Sequence, residues 1–243
     1  MISVVIPALN EQRYLGRCLE SLAHQDYQGS FEIIVVDNGS TDATAALASG
    51  FGAKVISEAR RGIAWARQSG FVVAKGDIIA STDADTIVPA DWLSRIDRLF
   101  RQHPEAVAVA GHFLLLDGPI VVRLAIRFSL ILMPLIIKLQ PQLWQFGGFN
   151  FAVRSQAFTT VGGFNTHVGF GEDIDLCQRL RRLGRVVFSP ELVVLVSGRA
   201  FARDRLGLNH LVNYLSRMLL KRTLLPVIFG AEEQSKTSRL QHQ

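Results

Sequence analysis

The 243-residue sequence has few cysteines, no glycine close to its start and no long uncharged run in its most apolar segment. Its two cysteines, Cys18 and Cys177, lie far apart in helix-like stretches without metal-ligand spacing. That excludes a disulfide framework and a zinc module, and reads as two buried thiols in a reducing compartment. After the first apolar run no glycine occurs until Gly16. The Gly-rich fingerprint of dinucleotide oxidoreductases and the Gly-rich triphosphate loop of nucleotidyl transferases are therefore both missing. Residues 119–139 are strongly apolar, yet their longest uncharged stretch, Phe128–Ile137, has only ten residues. That is too short to span a bilayer. With Arg123, Arg127 and Lys138 around it and Pro134 inside, the segment reads either as an interfacial element or as a buried helix. The opening, Met1-Ile2-Ser3-Val4-Val5-Ile6-Pro7, has no basic stretch before its apolar run. It reads as a strand and not a signal peptide, so a cytoplasmic location is expected. No stacking-aromatic or zinc module accompanies the basic residues, so nucleic acid is not an expected partner.

What is present suits one sizeable α/β domain: 49% of the residues are hydrophobic. The net charge of +5 is uneven, because residues 176–222 hold ten Lys or Arg against two acids. A basic C-terminal third suits a diphosphate or an anionic membrane surface. Strand and helix signals alternate through the first hundred residues. Strands are expected at Ile2–Ile6, Phe31–Val36, Lys54–Ser57 and Asp77–Ser81. Helices are expected at Asn10–Ala23, from about Asp42 after the capping Ser40 and Thr41, at Ile63–Ala74, and from Pro89 to Phe100. Such alternation implies a mostly parallel, Rossmann-like central sheet flanked by helices. Ligands then bind beyond the C-terminal strand ends. Three strand ends carry polar residues that should share one cleft: Asn10 with Glu11, Asp37 with Asn38, and Asp83 with Asp85. Further on, Val107–Leu116, Asn150–Val153, Arg185–Phe188 and Leu192–Val196 read as strands and Asp173–Leu183 as a helix. Residues 206–229 form a second amphipathic stretch before a polar tail.

Asp83-Ala84-Asp85 follows a buried strand, where carboxylates are costly without a partner. Carboxylates at i and i+2 in a turn can converge on one hard cation, Mn²⁺ or Mg²⁺, that completes its shell with phosphate oxygens. Such a cation stabilises charge on a departing diphosphate. Arg199 and Arg203, from Ser197 to Arg203, are placed to add positive charge there or to form a surface patch. In Gly169-Phe170-Gly171-Glu172-Asp173-Ile174-Asp175-Leu176 the acids open a helix, which its dipole alone would favour. A carboxylate there, after glycine-rich chain, also suits a general base for an attacking hydroxyl.

Five segments together resemble glycosyltransferase family 2. They are Val4-Val5-Ile6-Pro7-Ala8-Leu9-Asn10-Glu11, Val35-Val36-Asp37-Asn38-Gly39-Ser40-Thr41-Asp42, Ala66-Arg67-Gln68-Ser69-Gly70, Asp83-Ala84-Asp85, and Gly171-Glu172-Asp173 with Asp175-Leu176 and Arg179-Leu180. Gln68 stands where the family pattern has Asn. The resemblance spans residues 1–200 and implies a single glycosyltransferase A-type domain with inversion at the anomeric carbon. A catalytic domain is expected over 1–205, with nucleotide-sugar binding over about 1–110 and acceptor binding over about 111–205. An amphipathic helix and tail would follow over 206–243. By motif position, Pro7, Ala8, Glu11, Asp37 and Arg67 would hold the nucleoside, with Arg67 stacking on the base or touching phosphate. Asp83, Ala84 and Asp85 would meet ribose and metal. Gly148 would lie near the donor sugar. Asp173 would be the base, with Glu172 beside it.

A UDP-sugar is slightly favoured over a GDP-sugar, since a carboxylate at 37 can read a uracil N–H. The acceptor would be a hydroxyl, and a lipid-linked one would suit peripheral attachment to the inner face of the cytoplasmic membrane through 119–139 and 206–229. Packing on the domain or a dimer contact is the other use of those segments. The competing reading is a degenerate nucleotide-binding or membrane scaffold, against which stand Asp83, Asp85 and Asp173.

Overall fold

The computed structural model describes residues 1–139, 144–168 and 171–199. Chain order is β1 (Ile2–Ala8), α1 (Leu15–Ala23), β2 (Phe31–Asp37), α2 (Thr44–Gly50), β3 (Lys54–Ser57), α3 (Ile63–Val73) and β4 (Ile78–Ser81). Next come β5 (Thr86–Ile87), α4 (Trp92–Gln102), β6 (Ala106–Leu115), α5 (Ile120–Leu139), β7 (Phe151–Arg154), α6 (Ser155–Thr160), α7 (Glu172–Leu183) and β8 (Arg185–Val196). The β-branched run of β1 is buried along its whole length, as expected of a central strand covered on both faces.

One eight-stranded sheet has the order β3-β2-β1-β4-β7-β6-β8-β5. The first four strands are mutually parallel, β7 runs antiparallel to β4 and β6, and β8 lies parallel to β6. The chain leaves β1 toward β2 and β3, then returns to place β4 on the other side. That reversal opens a crevice at the C-terminal ends of these strands. Ala8 pairs with Asp37 and Val5 with Ser81, so the turn after Ser81 lies beside the ends of β1 and β2.

Apolar side chains fill both faces of the sheet. One core joins Leu15, Leu19 and Leu22 of α1 to Trp92 and Ile96 of α4. The other joins Phe71 of α3 to Phe151, Phe158, Phe164 and the Leu176/Leu180 stripe of α7. Helix α3 sits so close to the sheet that a Cβ on Gly70 would overlap Val5 and come within 2.8 Å of Val36 Cγ2. Glycine in the Ala66–Gly70 segment therefore sets how near Arg67 approaches the strand ends.

Three expectations are corrected. Helix α1 begins at Leu15 and not Asn10, because Asn10 adopts φ +55° and Tyr14 and Leu15 donate their N–H groups to the Glu11 carbonyl in a turn. Ser40 and Thr41 do not cap α2. Ser40 Oγ accepts the Asn10 N–H and Thr41 N–H donates to Asn10 Oδ1, which locks the two strand-end loops together. The two short strands expected over 185–196 are one strand. Its register jumps between Phe188 and Val193 opposite Ala110 and His112, and Asn150 Nδ2 stitches the bulge by donating to the His112 and Leu192 carbonyls. Residues 206–229 and Arg203 lie outside the described residues.

Candidate active site

The site assembles from strand ends outward. Pro7 and Ala8 finish β1 as buried residues, and Asp37 finishes β2 half-buried, its Oδ1 accepting the Ser40 N–H at 3.1 Å. Asn38 turns away from the crevice. Its Nδ2 donates to the Glu58 and Arg60 carbonyls and its Oδ1 accepts from Gly62 N, which folds the loop ahead of α3. That loop brings the Arg61 guanidinium beside Gly39. Arg61 thus joins the Asp37 rim, although no feature of the sequence singled it out; the Arg60-Arg61-Gly62 triplet before α3 was the available signal.

Past β4, Ala84 is buried while Asp83 and Asp85 flank it. Asp83 Oδ1 meets Arg67 Nη2 at 2.6 Å. The other terminal nitrogen of Arg67 ion-pairs with Glu172 Oε1 at the start of α7. Arg67 is 2% exposed. A Cβ on Gly148 would land on its guanidinium, so glycine is required there for the close approach. This corrects one expectation. Arg67 has no free face for stacking on a base; it ties the Asp83 carboxylate after β4 to the start of α7. Its Nε has no partner, which leaves the group committed to those two acids.

Asp173 lies one residue beyond Glu172. Its Oδ2 accepts the Gly148 N–H at 2.7 Å and its Oδ1 accepts the Ile174 N–H at 2.8 Å. Burial and the neighbouring Glu172 carboxylate push its pKa above the ordinary carboxylate range, against the opposing charge of Arg67. Asp175 has a different job. It accepts from Arg179 Nε and Nη2, while Arg179 Nη1 donates to the Val161 and Gly163 carbonyls. Gln68, the one departure from the motif, accepts the Phe164 N–H through Oε1 and supports that same turn.

Glu11 and Asp85 are held by one side chain. Arg199 contacts Glu11 through both terminal nitrogens, at 2.8 and 2.6 Å, and Asp85 Oδ2 through Nε at 2.8 Å. Its guanidinium lies 4.5 Å above the Tyr14 ring. Burial first, and then Asp83, push the Asp85 carboxyl up to about 6, with Arg199 pulling the other way. A water-sized cavity of about 20 Å³ opens beside Asp85, between Tyr14, Arg17, Asp117 and Ser197.

Such crowding of carboxylates favours a cation. Among the described residues no three or more His, Cys, Asp or Glu side chains group as metal ligands. Asp83 and Asp85 offer carboxylate oxygens, the hard donors that suit Mg²⁺ or Mn²⁺ sharing phosphate and water oxygens. The donor set fits the cation expected from the sequence.

A family model described as glycosyl transferase family 2 matches residues 3–162. Glycosyltransferase GlyG of Streptococcus pneumoniae is 33% identical over 119 residues, covering 46% of this chain and 39% of that protein. A PGL/p-HBAD biosynthesis glycosyltransferase of Mycobacterium bovis is 34% identical over 118 residues, covering 46% of each. The chain therefore spans less than half the length of these curated relatives. Among solved structures, mannosyltransferase PcManGT of Pyrobaculum calidifontis in complex with GDP-Man and Mn²⁺ superposes with TM-score 0.67 at 23% identity, covering 93% of this chain and 65% of that one. TarS 1–349 of Staphylococcus aureus in complex with UDP-GlcNAc gives TM-score 0.65 at 17% identity, covering 81% and 58%. These structures share the mixed α/β fold with its mostly parallel sheet.

Proposed function

The chain belongs to glycosyl transferase family 2, and from that premise we propose that it is a glycosyltransferase that moves a sugar from a nucleoside-diphosphate sugar to a hydroxyl acceptor with inversion. The observation that carries this reading is the Arg67 bridge. One buried guanidinium holds Asp83, at a nucleotide-side strand end, and Glu172, next to the candidate base Asp173. On this reading the bridge would hold donor-side and acceptor-side groups within one side chain of each other.

In this reading residues 1–110 take the donor and 111–205 the acceptor. Pro7, Ala8 and Asp37 border the nucleoside, and Asp37 has a carboxylate oxygen free to accept a base or ribose donor. That slightly favours UDP over GDP. Asp85 and Asp83 would hold Mn²⁺ or Mg²⁺, which when bound supplies positive charge for the departing diphosphate. Arg199 adds a second cation at the same place once it leaves Glu11, and Gly148 borders the donor sugar. Asp173 takes the acceptor O–H proton as that oxygen bonds to the anomeric carbon and the bond from carbon to the diphosphate oxygen breaks. Two backbone N–H donors aim Asp173, and each of its oxygens keeps a lone pair. Its raised pKa makes it a stronger base than an ordinary carboxylate. Glu172 keeps the first turn of α7 in position through Arg67. A lipid-linked acceptor and peripheral attachment at the inner face of the cytoplasmic membrane complete the proposal.

The test is thermal stabilisation by UDP, GDP and their sugars, with Mn²⁺, Mg²⁺ or EDTA, in wild type and Asp85→Ala. A nucleotide at 100 times its Kd adds about 2.7 kcal/mol. Stabilisation by one nucleotide, dependent on metal and lost in Asp85→Ala, is expected. A folded protein that no nucleotide stabilises refutes the catalytic reading.

A further inference from the structure

Helix α5 shows three distinct faces. At 100° per residue, the buried Val122, Ile126 and Met133 share one side and pack on the two cores. Eight large apolar side chains, among them Leu124, Phe128, Ile131 and Leu135, are each between 39% and 71% exposed. They fall within an arc of about 120° on a different side of the helix from the buried residues, along about 30 Å of axis. Arg123, Arg127 and Lys138, all exposed, line one edge of that arc, and the helix has no acidic residue. The expectation that this segment is too short to span a bilayer is corrected, because Arg123, Arg127 and Lys138 belong to one continuous helix of 20 residues that is by length and composition able to cross a membrane. Its contacts with both cores instead lay it lengthwise along the domain.

A water-facing apolar arc of this size on one helix calls for an occupant. The basic edge selects among them. A second copy packing arc to arc would bring Arg and Lys edges together with no carboxylate on either helix to pair them. Anionic lipid headgroups complement that edge while acyl chains cover the arc, the arrangement of an in-plane interfacial helix. The loop that leads into α5 also adjoins the site. Asp117 Oδ1 accepts the Gly198 N–H, and Gly198 precedes the Arg199 that pairs with Glu11 and Asp85. We propose that the outward face of α5 lies in the plane of an anionic bilayer, seating the carboxylate cluster beside the headgroups. The seat itself stands on α5; its use for delivering a lipid-linked hydroxyl rests on the glycosyltransferase reading.

The experiment is flotation of the full chain with vesicles of phosphatidylcholine alone or mixed equally with phosphatidylglycerol, at low and high salt. Variants are the pair Phe128→Glu with Ile131→Glu, and the pair Arg123→Gln with Arg127→Gln. Thermal unfolding checks the fold, which these exposed positions should leave unchanged. Wild type should float with the anionic vesicles and be released by salt. The Glu pair should lose at least tenfold in binding, and each lost Arg roughly fivefold. Wild type left in the soluble fraction overturns the proposal. So does vesicle binding that the α5 variants do not weaken, or a change of oligomeric state in the Glu pair, which would make a second copy the occupant. Stabilisation by nucleotide and metal is measured on the same variants and should be unchanged. Failure of the seat is thus distinguishable from failure of the catalytic reading.

Discussion

Replacing Arg67 by methionine keeps the length of the buried stem and removes the charge that Asp83 and Glu172 share. The Glu172 side chain is 4% exposed and that of Asp83 29%, so Glu172 bears most of the consequence. Taking one partner from a buried ion pair costs about 3–5 kcal/mol, because the remaining charge has neither water nor partner. For a chain of this size each kcal/mol moves Tm by roughly 2–4 °C, so Arg67→Met should melt about 6–20 °C lower. Changing both members, Arg67→Met with Glu172→Leu, removes the orphaned charge and should recover a large part of that loss. Arg67→Lys keeps the charge without the planar fork that reaches two acids at once, and should fall between wild type and Met. Urea titration with thermal melts gives all three numbers. A loss below about 1 kcal/mol for Arg67→Met, or a double variant no better than the single, would refute the bridge as the element that joins the two halves of the site.

Asp85 has a folded pKa of about 6 against an ordinary 3.8, so the folded state binds its proton more tightly and stability from this group falls as pH rises through that interval. Buried His112, with its pKa lowered, works in the opposite direction. The difference in Tm between wild type and Asp85→Asn across pH 7.5 to 5 isolates Asp85 and should show wild type gaining on acidification, a gain that saturating Mn²⁺ removes. Arg199→Ala frees Glu11 and Asp85 from a partly exposed cation, and nucleotide-free Mn²⁺ binding followed by electron spin resonance should tighten roughly two- to fivefold; weaker binding would show that Arg199 organises the site instead of competing for it. Asp173→Asn should cut turnover by about 10²–10⁴ while leaving stabilisation by donor nucleotide intact. Asp175→Asn should cost about 1 kcal/mol of stability through the loosened Arg179 contacts, with turnover near wild type in a donor-consumption assay.

The first half of the fold was legible because β1 to β4 are short apolar runs with a polar residue at or just past their ends, and the helices between them carry apolar residues at helical spacing. The rim residues Asp37, Asp83 and Asp85 follow directly from that alternation. Partner choice was not legible. Arg67 and Glu172 are 105 residues apart, and Arg199 and Glu11 are 188 apart. No local pattern reports which acid a distant arginine meets, so Arg67 read equally well as a base contact. The bulge in β8 escaped because Pro190-Glu191 looks like a break, and only the Asn150 amide, from another strand, holds the chain in register across it. Asn10 misled for a local reason: a polar residue before an apolar stripe reads as a helix start, and its left-handed backbone appears only once Ser40 and Thr41 are in contact.

The charges of the cluster explain why these particular residues sit together. Two guanidinium groups bind four acids, Arg67 holding Asp83 and Glu172 from within and Arg199 holding Glu11 and Asp85 from the rim, with Asp173 next to Glu172. Arg67 is buried and spends both ends on acids, so its departure would leave Glu172 a buried, unpaired charge. The Arg199 side chain is 38% exposed and lies three residues past the end of β8, so its ion pairs are the weaker set. On the proposed reading, a cation arriving with a diphosphate would meet one fixed arginine and one displaceable arginine. Asp173 lies on the fixed side, beside Glu172 and under the Gly148 N–H, where displacement of Arg199 does not disturb it. On the proposed reading Asp173, as base, would keep its aim while the donor side exchanged its counter-charge, as a site that loads its donor before taking a proton from its acceptor would require.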